Sequence, residues 1–182
     1  KAQNIKKYAI KNKLSFIRFD CRGHGKSFGK FEDFTITDWK NDLLYVLDKL
    51  TTGPQILIGS SMGGWLMILA YKMRKKRIAA LIGLAAATDF GKILYKNLTQ
   101  KNKNELSKNG ITQYHSYGFS YFLTKKFFIN AEKNNILSKK FSIQQPIILI
   151  HGIKDDVVNT DMPKKIMHSI KGKNIQINYL KF

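Results

Sequence analysis

The amino-acid sequence predicts an α/β fold with a mostly parallel sheet and helices on both faces. Apolar stretches of strand length alternate with amphipathic stretches of helix length along most of the chain. Such alternation is typical of parallel strands joined by helical crossovers. A chain of 182 residues with 43% apolar content can bury one sizeable core. We therefore expect a single domain with an insertion.

The first part of the chain supplies two predicted helices, a strand and a loop. In order, these are a helix at residues 2–12, a buried strand at 14–19, a glycine-punctuated loop at 20–27 and a helix at 36–50. Ile5, Tyr8 and Ala9 fall on one face of the first helix, and Leu, Phe and Ile dominate the strand. A Thr-Thr-Gly-Pro stretch at 51–54 ends the second helix.

The alternation continues beyond this point. It gives a strand at 55–58, a helix at 64–73, a strand at 78–84 and, after an irregular region, a strand at 146–150, a helix at 162–170 and a strand at 175–180. These strands are rich in Ile and Leu, and the helices keep apolar residues at helical spacing. Residues 1–87 and 146–182 therefore make up the predicted α/β core.

Residues 88–145, which we call the cap segment, interrupt this alternation. They contain no clear strand–helix unit, and we expect a helical cap that folds over the carboxyl edge of the sheet. They carry many aromatic side chains: Phe90, Tyr95, Tyr114, Tyr117, Phe119, Tyr121, Phe122, Phe127, Phe128 and Phe141. Two interpretations stay open: these rings line an apolar acyl pocket, or they form a small core of the cap itself.

The net charge of +20 raises the question of a nucleic-acid or anionic membrane partner. The 32 basic residues are nearly all lysine, with arginine only at Arg18, Arg22, Arg74 and Arg77. Proteins that read bases favour arginine, and single-strand binders interleave basic residues with stacking aromatics. We therefore expect no nucleic-acid partner. A basic binding protein is the alternative, and salt-dependent retention on nucleic acid would support it.

The chain shows neither a membrane-spanning stretch nor a secretory signal. The longest apolar runs lie near residues 78–87 and 146–150, and the amino end is rich in lysine. Cys21 is the only cysteine, so an internal disulfide is impossible and a reducing compartment fits. We expect a cytoplasmic bacterial protein.

A Gly-Ser-Ser-Met-Gly stretch at 59–63 is the most informative motif of the chain. It stands between an apolar strand and a helical run, which is the setting of a G-x-S-x-G nucleophile elbow. Small residues at the first and last positions allow a sharp turn that lifts the serine oxygen clear of the sheet. The motif predicts Ser61 as a nucleophile and the Met62 backbone amide as a donor to a developing oxyanion.

These features together resemble the α/β-hydrolase superfamily. The resemblance is carried by the order of elements, the loop at 20–27, GSSMGGW at 59–65, the segment 85–89 and HGIKDDVV at 151–158. The sequence is most similar to bacterial and mitochondrial serine hydrolases that include palmitoyl-protein thioesterase and mycophenolic acid acyl-glucuronide esterase. This resemblance implies hydrolysis of a carboxylic ester or thioester in a small-molecule or acylated substrate, with neither a cofactor nor a metal ion.

In the pattern of that family an acid follows the seventh strand, and Asp155 matches it. Asp155 is the fifth residue of the His-Gly-Ile-Lys-Asp stretch that begins at His151, where the chain turns off a strand end. Asp156 is the alternative acid. A third interpretation is purely structural, since Asp is common after strands for its own local hydrogen bonds.

The family pattern places its histidine last, in the loop after the eighth strand, and no histidine of this chain stands there. The chain has four histidines: His24, His115, His151 and His168. They fall in the loop after the first predicted strand, in the cap segment, at a strand end and on a late helix. We expect the base to lie just beyond Phe182. Two interpretations follow: part of a working serine hydrolase, or a truncated, catalytically inactive remnant.

The resemblance also implies that the first three strands of the fold precede Lys1. The third of these would bring the second oxyanion donor and would lie between the strand at 14–19 and the strand before Ser61. Without it, either those two strands pair directly or a gap with unpaired backbone groups is left.

Overall fold

The computed structural model describes residues 2–116, 118–172 and 174–181. In this part of the chain the helices are α1 (Ala2–Lys11), α2 (Ile36–Lys49), α3 (Met62–Met73), α4 (Phe90–Asn97), α5 (Gln100–Asn109), α6 (Lys125–Lys133) and α7 (Met162–Ser169). The strands are β1 (Gln55–Ser60), β2 (Ile78–Leu84), β3 (Ile111–Ser116), β4 (Phe119–Thr124), β5 (Phe141–Ser142), β6 (Ile147–Gly152), β7 (Ile170–Lys171) and β8 (Ile175–Leu180).

The central sheet has the strand order β1-β2-β6-β8, and every neighbouring pair in it is parallel. Ser60 of β1 is level with Leu84 of β2, which is level with Ile150 of β6. The carboxyl ends of these three strands therefore lie along one edge of the sheet. The predicted α/β class with a mostly parallel sheet is confirmed.

Helix α3 lies in the middle of the core because it is apolar on every side. All residues from 64 to 71 are buried, as expected for a helix that is hydrophobic all round. The helix packs against β1, β2 and α2. Leu81 of β2 and Leu149 of β6 belong to the same buried cluster. The Gly-Ser-Ser-Met-Gly motif thus leads directly into a helix that is buried on all sides.

Helix α2 begins at a capping box formed by Thr35 and Asp38. The Asp38 carboxylate accepts hydrogen bonds from the Thr35 backbone amide and hydroxyl, at 2.8 and 2.6 Å. Ile36, Trp39 and Leu47 are buried behind this cap. Because both ends of the helix follow local signals, the predicted range of 36–50 differs from the observed one by a single residue.

The predicted strand at 14–19 is wrong. These residues form neither helix nor strand, and Leu14, Ile17 and Phe19 are 57%, 47% and 41% exposed. Their pattern is typical of a strand, but a strand persists only where a neighbour takes its backbone hydrogen bonds. Within the described residues, β1 pairs with β2 alone. Of the two expected alternatives, direct pairing of 14–19 with β1 is therefore wrong.

The cap segment contains the helices α4, α5 and α6 and an antiparallel hairpin of β3 and β4. The hairpin is a difference from the helical cap that the sequence predicts. Thr112 and Leu123 face each other on its buried side, and Tyr117 lies outside the described residues. The sequence predicts a helical cap without bounds for its helices, and periodicity does not locate α5 because this helix is almost entirely polar, with only Leu106 buried.

The aromatic side chains of the cap segment pack against those of the core. Phe90 lies edge-on to Trp65 with 5.5 Å between ring centroids, and Phe127 lies 6.2 Å from Trp39. Tyr121 of the hairpin contacts Phe31, at 5.7 Å. Phe127 is only 1% exposed. These rings belong to one core that the cap segment shares with the α/β layer, so they are not a separate core of the cap.

Candidate active site

Ser61 occupies the turn between β1 and α3 in a strained backbone conformation. Its φ is 51° and its ψ is −121°, a combination that residues with a side chain rarely adopt. Such a conformation persists only where the surrounding structure imposes it, and these outliers cluster at functional sites. Ser61 is exposed although the following helix is buried. The motif has therefore folded into the elbow that the sequence predicts.

Backbone hydrogen bonds from the neighbouring strand impose this conformation. The Ser61 amide donates to the Leu84 carbonyl at 3.0 Å, and the Ala87 amide donates to the Ser61 carbonyl at 3.0 Å. The Gly64 amide also donates to the Ser61 carbonyl, at 2.9 Å. The end of β2 and the segment that follows it thus form hydrogen bonds with both backbone polar groups of Ser61.

Glycines allow α3 to approach the sheet closely enough for this arrangement. A Cβ atom on Gly59 would lie 2.2 Å from the Gly63 carbonyl oxygen, and one on Gly64 would lie 2.4 Å from the Ala86 Cβ. A Cβ on Gly63 itself would meet nothing within 4 Å. The packing requirement therefore falls on the first glycine of the motif and on Gly64, which the motif does not include. The Gly-Gly doublet was the available signal for Gly64.

Met62 is the first residue of α3, so its amide points out of the helix amino end. Among the described residues this amide donates to no protein acceptor. The amino end of a helix carries a partial positive charge, and unpaired amides there favour an anionic oxygen. The Met62 amide therefore stands next to Ser61 in a position suited to an oxyanion.

Asp155 lies in the turn that follows β6. Its amide donates to the Gly152 carbonyl at 3.2 Å. One carboxylate oxygen accepts the amides of Val157 and Val158 at 3.0 and 2.8 Å, so the local turn-forming interactions are present. The side chain is 19% exposed, whereas the neighbouring Asp156 is exposed. The partly buried carboxylate is the better candidate acid, because its second oxygen is not used by the turn.

Ser61 and Asp155 leave the same edge of the sheet. Their strands, β1 and β6, are separated only by β2, and the strand ends are level. Adjacent strands lie roughly 4.8 Å apart, so the ends of β1 and β6 lie roughly 10 Å apart. No hydrogen bond joins the two side chains within the described chain.

His151 supports the Asp155 turn from inside the core. Its side chain is fully buried, and its Nε2 atom lies 2.9 Å from the Val158 carbonyl oxygen. That carbonyl can only accept, so Nε2 carries the hydrogen. The same nitrogen lies 3.8 Å from the second Asp155 oxygen. His151 therefore positions the turn and is not available as a base for Ser61.

The other three histidines make contacts of their own or lie at an exposed position. The His24 ring stands edge-on to Phe31 and Trp39, with centroids at 5.6 and 5.0 Å. His168 has Nδ1 2.8 Å from the Lys164 carbonyl on α7. His115 lies on the exposed face of β3. In the described part of the chain no hydrogen bond joins a histidine to Ser61.

Cys21 does not compete with Ser61 as a nucleophile. Burial, reinforced by the nearby Asp42 carboxylate, raises the pKa of its thiol from 9.0 to about 12. The thiolate is the reactive form, so a thiol with this pKa is almost unreactive at neutral pH.

A model of a known protein family matches the part of the chain that contains the elbow. The model, described as the alpha/beta hydrolase fold, matches residues 5–114, which include the elbow and helix α3. The chain belongs to the α/β-hydrolase family.

Relatives within this family include mitochondrial thioesterases. The chain is 39% identical over 146 residues to human palmitoyl-protein thioesterase ABHD10, covering 78% of this chain and 47% of the relative. It is 35% identical over 162 residues to the bovine protein, covering 87% of this chain and 53% of the relative. The chain thus spans about half the length of the curated relatives that it matches.

Solved α/β-hydrolase structures superpose on nearly the whole chain. A hydrolase of Agrobacterium vitis S4 aligns with a TM-score of 0.91 and 25% identity, over 98% of this chain and 72% of that one. The mouse alpha/beta hydrolase domain-containing protein 10 aligns with a TM-score of 0.85 and 31% identity, over 96% and 71%. None of the described helices is both long and apolar enough to cross a membrane.

Proposed function

We propose that this chain carries the nucleophile and the acid of a serine hydrolase that cleaves carboxylic ester or thioester bonds. The observation that carries the proposal is the strained elbow, in which Ser61 has φ 51° at the amino end of a buried helix. The convergence of Asp155 on the same sheet edge supports it. Membership of a family that contains thioesterases is a second, independent support.

The proposed reaction runs through an acyl-enzyme. The Ser61 oxygen attacks the acyl carbonyl and gives its proton to a base, while the Met62 amide stabilises the negative oxygen. The carbonyl re-forms as the bond to the leaving alcohol or thiol breaks, and the base returns its proton to that group. Water then attacks the ester on Ser61, and the acid product leaves. Asp155 orients the base through its second carboxylate oxygen.

The base of this reaction is proposed to be a histidine from outside residues 1–182. The four histidines of the chain serve other contacts or lie elsewhere, and β8 ends level with β6 at the same sheet edge. Polypeptide that continues from β8 would pass near Asp155, since the Ile153 amide donates to the Leu180 carbonyl at 3.0 Å. The coding sequence after Phe182 tests this directly, because the proposal requires a histidine codon shortly downstream.

The acyl group is proposed to be apolar. ABHD10 relatives are palmitoyl-protein thioesterases, and Phe90 of the cap segment lies against Trp65 of the elbow helix, with 5.5 Å between the ring centroids. A cytoplasmic bacterial location stays a prediction, since these relatives are mitochondrial proteins.

Hydrolysis of p-nitrophenyl esters and acyl thioesters tests the proposal, with imidazole added to replace the missing base. The loss of a triad histidine typically costs roughly a millionfold in kcat, so we expect little turnover without imidazole and a Ser61-dependent rate with it. Ser60→Ala is the matched control and should retain that rate. Equal rates for Ser61→Ala and the unmodified chain, above the rate of imidazole alone, would refute the nucleophile assignment.

A second candidate is that residues 1–182 alone have no catalytic function. The engagement of His24, His151 and His168 in other contacts favours it. This candidate predicts no Ser61-dependent turnover of any ester, with or without imidazole. A rate that Ser61→Ala abolishes would exclude it.

A further inference from the structure

Asp89 lies where the chain passes from the core into the cap segment. It has a left-handed backbone conformation, with φ 54°, and directly precedes helix α4. Its side chain is nearly buried, with the residue 8% exposed. The sequence singles out this position only as part of the segment 85–89, and the proposed reaction does not use it.

The Asp89 carboxylate binds the backbone where the cap segment returns toward the core. One oxygen accepts the Ile136 amide at 3.0 Å, and the other accepts the Ile136 and Leu137 amides at 3.1 and 2.7 Å. Ile136 is 1% exposed, so its amide has no solvent to replace the carboxylate. A buried amide without a partner costs the full desolvation of that group. Asp89 is therefore required for this crossing of the chain.

The same stretch of backbone is tied to the elbow helix. The Trp65 indole donates to the Asn134 carbonyl at 3.0 Å, and Trp65 lies one helical turn after Ser61. On the other side, the Ala87 amide holds the Ser61 carbonyl at 3.0 Å. Asp89 follows Ala87 by two residues, and Ile136 follows Asn134 by two residues. The contacts and these short chain segments together therefore form a closed ring. We call this set the elbow–cap ring, and it consists of Ser61, Trp65, Ala87, Asp89, Asn134, Ile136 and Leu137.

We propose that Asp89 is a positioning residue that couples the nucleophile elbow to the cap segment. By fixing the Ile136 and Leu137 amides, it sets where Trp65 and Ala87 hold the elbow. Opening the carboxylate contact then loosens both the cap return and the turn at Ser61, although Asp89 touches neither Ser61 nor its proton. The consequence for catalysis rests on the proposed function, whereas the coupling itself does not.

Amide hydrogen exchange measured residue by residue tests this coupling without any catalytic assay. In the unmodified protein the Ala87, Ile136 and Leu137 amides should share one opening free energy, because they open together. Asp89→Ala should speed exchange at all three by about tenfold or more, and should shift the Trp65 indole resonance. Amides in β6 and β8 should keep their protection, which separates local opening from global destabilisation.

Two further variants complete the test. Asp89→Asn keeps one acceptor oxygen and should restore part of the protection. Glu132→Gln is the matched control: Glu132 lines the same surface cavity as Asp89, its carboxylate pairs with the exposed Lys92 at 3.0 Å, and the change should leave the ring contacts unaltered. Faster exchange at Ile136 and Leu137 with unchanged exchange at Ala87 and an unchanged Trp65 signal overturns the proposal.

The outcome is separable from that of the proposed function. If ring exchange responds to Asp89 and Ser61 does not react with acyl substrates, the coupling holds and the hydrolase assignment fails. If Ser61 reacts at the same rate in Asp89→Ala as in the unmodified chain while the ring has opened, the elbow does not depend on Asp89 and the positioning role is excluded. If Asp89→Ala does not fold, two other measurements decide. One is whether the Ala87, Ile136 and Leu137 amides share one opening free energy in the unmodified protein, and the other is the exchange of these amides in Asp89→Asn.

Discussion

At the scale of single residues, the elbow depends on where a Cβ atom can and cannot be placed. Sequence patterns predict an elbow at Ser61 from local signals, because the strand, the small residues and the helix all lie within residues 55–73. They assign the need for a small residue to Gly59 and Gly63, whereas the structure places it on Gly59 and Gly64. The difference arises because Gly64 meets Ala86, which lies after another strand and is not visible in the local sequence.

Alanine substitutions at the two adjacent glycines should therefore have opposite effects. Gly64→Ala forces a Cβ to 2.4 Å from Ala86 and should lower the free energy of unfolding by about 1–3 kcal/mol. Gly63→Ala has open space and should raise it by about 0.5 kcal/mol through helix propensity. Urea denaturation of the two variants measures both. Equal destabilisation would mean that α3 does not approach the sheet as closely as described.

Asp89 gives the stability of the protein a specific pH dependence. Burial raises the pKa of its carboxyl above the ordinary value of 3.8, although the Leu137 and Ile136 amides and Lys92 oppose the shift. The folded state therefore holds this proton more tightly than the unfolded state. Its contribution to stability is complete below pH 3.8 and is lost as the pH rises through the folded pKa.

Asp89→Asn should remove this contribution. We expect the free energy of unfolding of the variant, relative to the unmodified chain, to rise as the pH is raised from about 4 toward neutrality. Urea titrations at several pH values measure the difference. A difference that falls with rising pH would show that the amide contacts outweigh burial and that the pKa is lowered.

At the scale of elements, the sequence predicts those whose signals are local and misses those that depend on a partner. Helices α2 and α3 form within two residues of their predicted bounds. Residues 14–19 have the composition of a strand but no strand beside them. The hairpin of β3 and β4 follows from pairing across a turn, and α5 lacks the apolar periodicity from which a helix is predicted.

The unpaired side of β1 should make the protein associate at high concentration. Ile56 and Ile58 of this edge strand are 59% and 42% exposed, and exposed apolar edge strands pair with other chains. Ile58→Lys should reduce concentration-dependent light scattering with little change in unfolding free energy. Ile93→Lys, at a position 50% exposed on α4, is the control and should leave the scattering unchanged. An equal reduction of light scattering by both changes would show that the association depends on net charge and not on the edge of β1.

At the scale of the whole molecule, the cap segment and the α/β layer share one interior. Thr37 at the start of α2 donates its amide to the Asn130 side chain at 2.9 Å and accepts from Asn134 at 2.9 Å. Phe127 of α6 packs near Trp39. The sequence predicts the cap as an insertion with its own role, but it does not predict this sharing, since the contacts join residues about ninety positions apart.

A shared interior predicts a single unfolding transition. Near-UV circular dichroism, which reports on Trp39 and Trp65 at the boundary, and far-UV circular dichroism, which reports on all helices, should give the same midpoint in urea. Asn130→Ala should lower both midpoints together. Two separate midpoints would show that the cap segment unfolds independently and that the aromatic contacts with the core are weak.

The central claim is that Ser61 is the nucleophile, and covalent labelling tests it most directly. Residues 1–182 are treated with a fluorophosphonate in the presence of imidazole, and the modified residue is located by peptide mass spectrometry. We predict one label per chain, on Ser61, which persists in Ser60→Ala and is absent in Ser61→Ala. A folded protein whose Ser61 remains unmodified while Ser60 or lysine side chains carry the label would contradict the claim.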